Sequence, residues 1–550
     1  MKTTCDVVIV GAGFAGLYML HKLRTAGLDC VLIEAADDVG GTWYWNRYPG
    51  ARCDIESVIY SYSFSAELDQ EWTWTERYAA QPEILRYLQH VADRFELRRD
   101  IRFSTRVASA AFDETALRWD VTTSGGDAYN ARFCIMATGC LSTINRPDLP
   151  GYADFQGPIY HTGTWPHEKV DFTGLRVGII GTGSSACQAI PLIAQEASEL
   201  VVLQRTPNHC VPAQNHPLPP DYIADVKKRY PTLRRKWRAS ESGSNHPIGN
   251  RSALEVTPRE LDLTYQCRWD AGGIPFMTAF DDILLDPAAN DTASDFVKRK
   301  IGEIVVDPET ARRLTPAHHP LGAKRMCVVT DYYETFNRDN VRLINVRDTP
   351  IERIVPRGVD VAGEHIPLDA LIFATGFDTM TGSLLAMDIR GRRDRPLRDA
   401  WADEPATYLG LMVADFPNLF LVTGPGSPSV LSVVTMAIEQ HVEWIAACID
   451  TLLREGIDVI EASPEAQREW TDHVHAVANQ TLYPAASSWY TNANIDGKTR
   501  GFNIYVGGYR DYGEHLERVR RERYAGFNLT SRPRPEPGSQ HREGAAAIPS

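Results

Sequence analysis

No two of the ten cysteines stand at C-x-x-C spacing. That leaves out the paired-ligand pattern of a zinc site and the dithiol of a disulfide reductase, and scattered thiols fit a reducing cytosol. No metal is expected. Positive charge is also in deficit, with 57 Lys and Arg against 71 Asp and Glu, a net −14. An acidic chain is a poor partner for nucleic acid, and an anionic ligand must find a local basic cluster. No apolar run reaches the ~18 residues of a membrane span, so no membrane partner is expected. Met1 lies close ahead of the first strand-like run, which leaves no room for a signal peptide and makes the cytoplasm the expected compartment. There is neither a collagen-like repeat nor a heptad pattern. Apolar residues at 43% and charged residues at 23% make an ordinary globular chain. At 550 residues it is too long for one core and divides into several domains. The oligomeric state is left open, a monomer included.

What is present is a strand–helix–strand pattern, twice. Asp6–Val10 (DVVIV) reads as a buried parallel strand, Ala15–Ala26 as a helix with Leu17, Leu20 and Leu23 on one side, and Cys30–Glu34 as a second strand. The pattern returns as Arg176–Ile180, Ser184–Ala197 and Leu200–Gln204. Between Pro212 and Leu321 the chain turns Pro- and charge-rich, with a helical run at Thr292–Ile304. Strands resume at Val341–Val346 and Leu371–Phe373. The tail from Arg532 has the composition of a disordered segment.

Each strand–helix junction carries a glycine fingerprint. Gly11–Ala12–Gly13–Phe14–Ala15–Gly16 is G-x-G-x-x-G: a tight turn, a close approach for pyrophosphate, and a close helix–sheet contact. Glu34 ends the second strand about 20 residues on, where a carboxylate holds a ribose hydroxyl pair. Gly181–Thr182–Gly183–Ser184–Ser185–Ala186 is the second copy, followed by Gln188 on its helix. Its strand ends in Gln204–Arg205–Thr206, with no acid. A guanidinium forks onto a 2′-phosphate that a carboxylate would repel. The pair therefore reads as an FAD site and an NADPH site. Gly40–Gly41–Thr42–Trp43 suits a loop beside a flavin, and Tyr60 is a further cofactor-binding candidate. Ala137–Thr138–Gly139 and Ala374–Thr375–Gly376 read as crossings between two nucleotide domains.

Phe155, Gly157, His161, Trp165 and Pro166 form F-x-G-x-x-x-H-x-x-x-W-P just ahead of the second fingerprint. Here the chain resembles the type I Baeyer–Villiger monooxygenases, and the phenylacetone and steroid branch in particular. Nitrogen- and sulfur-oxygenating relatives share F-x-G-x-x-x-H but generally lack the final Trp. The resemblance extends to Gly41–Ser57, Asp331–Val341 and Gly424–Ser429, nearly the whole chain to about residue 530. It implies an α/β fold: two Rossmann-like dinucleotide-binding domains, for FAD and NADP, with a mostly helical insertion. The expected boundaries are 1–142 with 378–531 for FAD, 143–211 with 327–377 for NADP, 212–326 for the insertion, and 532–550 for the tail.

By the same resemblance Arg325 is the active-site cation and Asp54 its orienting carboxylate, which also contacts nicotinamide. From the residues alone, an interdomain ion pair explains the two equally well. Lys324 joins Arg205 and Thr206 at the 2′-phosphate. Trp489 belongs to a loop that seats NADP. His161 couples the two domains rather than transferring protons. Ser429, Val430, Leu431 and Val434 fall on the substrate side of the flavin. Several relatives carry Asn-Met where this chain has Val433–Val434, so the identity of the ketone is not carried over. The implied reaction runs through a flavin C4a-peroxide, with O2 and a small ketone as partners and an ester or lactone as product. The alternatives are a flavin N- or S-oxygenase and an NADPH-binding redox sensor that does not oxygenate.

Overall fold

The computed structural model describes residues 2–244, 246–495 and 497–532; the expected disordered tail lies, from residue 533 on, outside them. Both predicted strand–helix–strand units are present. Thr3–Val10 pairs in parallel with Cys30–Ile33 on one side and Ala128–Met136 on the other. Val7, Val8 and Ile9 are fully buried, as a β-branched run covered on both faces must be. The helix Phe14–Thr25 makes the crossover and packs on the helix Val434–Glu455. The sheet reaches eight strands, and two of them, Asp388–Arg390 and Leu419–Leu421, come from late in the chain.

The second unit centres a five-stranded, wholly parallel sheet. Its order is Val341–Asn345, Glu199–Gln204, Arg176–Ile180, Ala370–Phe373, Ile159–His161. Two crossing segments join the sheets. They run side by side, Phe377 opposite Ile144 and Asp378 opposite Thr143 in a short antiparallel ladder.

The Pro-rich stretch is helical because its prolines start helices. Pro220–Arg238, Pro258–Ala271, Pro287–Ile304 and Pro308–Leu314 each open on proline, whose missing N–H and fixed φ suit a first turn. Thr257, Asp286 and Asp307 cap three of them through their side chains. The first of these helices is tied to the eight-stranded half by a buried cation. Arg234 donates to Asp69 at 2.7 Å, to the Ser61 hydroxyl at 2.8 Å and to the Tyr62 carbonyl at 2.9 Å.

Removing one partner of such a pair strands the other charge without water. Arg234→Ala is expected to cost about 3–5 kcal/mol, and Arg234→Met with Asp69→Leu to recover most of it. Denaturant unfolding of the single and double variants measures both.

Candidate active site

The two fingerprints are built alike. Gly11 has φ +103°, and a Cβ there would stand 2.6 Å from the Ala137 carbonyl oxygen. Gly181 has φ +110°, and its Cβ would stand 2.5 Å from the Ala374 oxygen. So each Ala-Thr-Gly segment closes over the first glycine of a fingerprint, and only glycine fits beneath it. Besides marking the crossings, these segments form part of the two cradles.

Both cradles open on one cavity of about 930 Å³. From the first half of the chain Gly11, Gly13, Phe14, Ala15, Glu34, Gly41, Thr42, Trp43, Asp54 and Tyr60 line it. From the second strand–helix–strand unit and the segments after it Gly181, Thr182, Gly183, Ser184, Ser185, Gln188, Arg205, Thr206, Lys324 and Trp489 do so. Gly16 and Ala186, the third positions, are not on the wall. A Cβ at Gly16 would run into the Gly11 carbonyl at 1.8 Å, and Ala186 is fully buried in the second core, so both serve packing. Gln188 lines the cavity but spends its amide on structure: Oε1 accepts from the Tyr48 hydroxyl (2.9 Å), and Nε2 donates to the Arg52 carbonyl (3.0 Å).

The donors and acceptors suit two dinucleotides. Glu34 is buried, and its oxygens accept the Ala12 and Ala36 amides at 2.6 and 2.8 Å. Each oxygen keeps a lone pair for a ribose hydroxyl. Burial raises its pKa, against the pull of those amides. Around Gly183 no atom lies within 4 Å of a Cβ position, which leaves the space a pyrophosphate needs. Beyond the second strand Gln204 is buried with its amide on the Arg313 carbonyl (2.7 Å), while Arg205 is exposed on the cavity wall. Burial, then Arg205 and Arg347, brings the Lys324 ammonium down to about 8. Trp43 donates its indole N–H to Tyr60 at 3.1 Å, and Phe14 meets Tyr60 edge-on, so these aromatics brace one another.

Arg325 and Asp54 form a two-bond fork, Nε to Oδ2 at 2.7 Å and Nη2 to Oδ1 at 2.9 Å. Nη1 donates to the Val430 carbonyl at 2.7 Å. About one fifth of each side chain remains exposed, and both residues line the cavity. Burial works against the guanidinium charge, but Asp54 outweighs it and holds the Arg325 pKa well above the ordinary value. Tyr490 was not foreseen in the sequence. It is buried beside Arg325, and its phenol is pushed up to about 12 by burial despite that cation. Trp489 packs its ring 4.3 Å from that of Tyr490, and its carbonyl accepts from the Thr379 hydroxyl. The N-terminal end of Val434–Glu455 faces the cavity through Val434 and Ile438. A helix N-terminus favours negative charge there.

Some expected residues lie elsewhere. Val430 and Val434 line the cavity, but Ser429 and Leu431 do not. The Ser429 hydroxyl is fully buried against the Met380 sulfur, and Leu431 packs on the Tyr483–Phe502 cluster. The F-x-G-x-x-x-H-x-x-x-W-P residues are absent from the wall as well. Phe155 and Trp165 belong to cores, Pro166 is half-buried, and a Cβ on Gly157 would strike the Asp369 carbonyl at 2.2 Å. His161 sits at the crossing. Its Nδ1 accepts from the Gly163 amide (3.0 Å), which leaves Nε2–H to donate to the Asn145 carbonyl (3.2 Å), with Thr375 Oγ1 at 3.3 Å. Burial lowers its pKa and keeps it neutral. One imidazole thus ties together Asn145 and Thr375, one from each crossing segment.

Two dinucleotide cradles sharing a cavity with a forked cation define a two-nucleotide flavoprotein. A family model described as pyridine nucleotide-disulphide oxidoreductase matches residues 8–232. The chain is 43% identical over 537 residues to phenazine N-monooxygenase from Lysobacter antibioticus, covering 97% of this chain and 98% of that protein. It is 42% identical over 523 residues to a Baeyer–Villiger monooxygenase from Pseudooceanicola batsensis, covering 94% and 95%. Oxidised steroid monooxygenase bound to NADP superposes with a TM-score of 0.92 at 50% identity, over 96% of this chain and 100% of that one. The chain belongs to the FAD- and NADPH-dependent Baeyer–Villiger monooxygenases.

A protonated ammonium attracts a 2′-phosphate; a neutral amine does not. As pH rises through about 8 that attraction is lost. The KM for NADPH is expected to climb between pH 7 and 9 while that for NADH stays flat, and Lys324→Arg to remove the climb. Arg205→Ala is expected to weaken NADPH far more than NADH. Steady-state kinetics with both nucleotides checks each outcome.

Proposed function

We propose that this protein inserts one atom of O2 beside the carbonyl of a small ketone, giving an ester or lactone, with NADPH as reductant. The observation that carries this reading is the Arg325 fork on Asp54, facing a cavity shared by both cradles. When bound, FAD accepts a hydride from NADPH and activates O2. The chain supplies placement and charge. A guanidinium has five N–H groups. Asp54 takes two, the Val430 carbonyl one and the Tyr490 hydroxyl one, which leaves one. Attack on a ketone puts negative charge on its carbonyl oxygen, and that N–H group can meet it. Asp54 fixes its plane in advance, so little reorganisation is needed as the charge develops.

We assign Gly11, Gly13, Glu34, Gly41 and Tyr60 to FAD, and Gly183, Ser184, Arg205, Thr206, Lys324 and Trp489 to NADPH. Strand membership supports reading 1–142 with 378–531 as the FAD domain and 143–211 with 327–377 as the NADP domain, with 212–326 as the insertion. The ten free thiols support a reducing, cytoplasmic setting. No helix among the described residues is long and apolar enough to cross a membrane.

The phenazine N-monooxygenase relative supports a second reading. Its identity matches that of the ketone-oxidising relative, so similarity alone does not separate the two. Chemistry does, because oxygen transfer to a nitrogen lone pair creates no carbonyl oxyanion. Arg325→Ala is expected to keep flavin bleaching by NADPH in the absence of O2 and to lower ester formation about 10²–10³-fold. Cyclic, aryl and steroid-like ketones and an aromatic amine, each assayed under 18O2, test the substrate class. Labelled ester supports the proposal. Full ester yield from the variant refutes the role of Arg325, and N-oxide without any ester moves the assignment to nitrogen.

A further inference from the structure

The cysteines that the sequence scatters are not all scattered in space. Cys210 and Cys327 open two short parallel strands and are register partners, so their side chains share a face. Cys187, in the first turn of Ser184–Glu196, meets them there. The three sulfurs lie within 4.8 Å of one another, with Cys187 and Cys210 at 3.8 Å, and all three residues are buried.

Their hydrogen bonds are unequal. Cys187 donates to the Thr182 carbonyl (3.5 Å) and Cys210 to the Asn208 carbonyl (3.6 Å). Cys327 instead accepts from the Asn208 side-chain amide (3.2 Å) and faces the Ser184 hydroxyl (3.5 Å); its carbonyl contact, to Arg325, is long at 4.0 Å. That is a setting for one thiolate between two thiols. The close Cys187 and Cys210 thiols, with the bonds from Ser184 and Asn208, hold Cys327 well below the usual thiol range, while burial pushes Cys187 and Cys210 well above it. Ser184, Asn208 and Val328 line the cavity, so Cys327 stands one side chain behind its wall.

We propose that Cys327 is a peroxide-reactive thiol whose oxidation closes a disulfide with Cys187 or Cys210 and weakens NADPH binding. The second half rests on the assignment of the Gly181–Ala186 cradle to NADPH. The oxidant is hydrogen peroxide, which reduced flavin and O2 yield when no substrate takes up the oxygen. The Cys327 thiolate attacks one peroxide oxygen, the O–O bond breaks, and the departing hydroxide takes a proton and leaves as water. The resulting sulfenic acid is attacked by the second sulfur. The S–O bond breaks, and hydroxyl and thiol proton leave as a second water. Two electrons pass from the sulfur pair to the peroxide. A disulfide needs its sulfurs about 2.0 Å apart, so helix and strands must shift from their present separation. Ser184 begins that helix, and Lys324 closely precedes the Cys327 strand, so the shift reaches the nucleotide contacts.

The test uses the FAD-loaded full chain without ketone. It is exposed to hydrogen peroxide, alkylated, and mapped by mass spectrometry, with NADPH affinity titrated before exposure, after it, and after added thiol reductant. The expected result is loss of the mass of two hydrogens, Cys327 in a disulfide, and a dissociation constant for NADPH that rises roughly tenfold and returns on reduction. Cys327→Ser should abolish both responses. If that variant does not fold, the mapping of the unaltered chain still decides. Cys267, exposed, is the internal control for unselective oxidation. Cys327 still alkylatable when Cys267 has been consumed overturns the thiol chemistry. A disulfide with unchanged NADPH affinity overturns its consequence. If the untreated protein does not prefer NADPH to NADH, the nucleotide assignment has failed, and the mass readout tests the thiols separately.

Discussion

A guanidinium held by a carboxylate across two parts of the chain governs the site. Arg325 arrives at the end of the helical insertion and Asp54 from the loop after the first cradle; they meet in a fork with both bonds under 3 Å. The geometry fixes a cation at the shared cavity and still leaves a donor unspent. The same residues explain why the chain must fold around the pair: a charge taken mostly out of water is held best with its partner in place. Val430 and Tyr490 complete the surround, so the fork also draws in two segments from the last third of the sequence.

Around that fork the molecule is two copies of one idea. Each cradle pairs a left-handed glycine with the carbonyl of an Ala-Thr-Gly segment, and each stands at the end of a buried parallel strand. The cradles are linked where the two crossing segments pair, and a neutral His161 clamps that point. The position of one nucleotide site relative to the other is therefore set by a few bonds at a narrow waist. This gives the F-x-G-x-x-x-H-x-x-x-W-P run a physical meaning. Its five defined residues hold the waist and the adjoining core, and none of those five lines the cavity, although Gly163 and Thr164 between them do.

The glycine fingerprints, both strand–helix–strand units and the acid-against-arginine contrast of the two strand ends were legible in the sequence, because each depends on neighbours close along the chain. The helical insertion was legible through its composition and the run at Thr292–Ile304, but that prolines open its helices came only from the structure. Tyr490 was not, since an aromatic beside a known loop Trp carries no local sign that it will meet a cation from the insertion. Nor could the spacing of Cys187, Cys210 and Cys327 announce a cluster assembled by strand register and helix packing. Ser429 and Leu431 were placed on the wall with their neighbours. The tight turn at Ser429, with φ +41°, instead buries Ser429 while Val430 stays on the wall.

The most direct measurement is a crystal structure of the protein loaded with FAD and NADP, in the oxidised and reduced states. Contact of the Arg325 guanidinium with the isoalloxazine or the nicotinamide, with Asp54 still behind it, is the predicted result. An Arg325 side chain that points away from both rings in every state, with no free path back to them, would contradict the central claim.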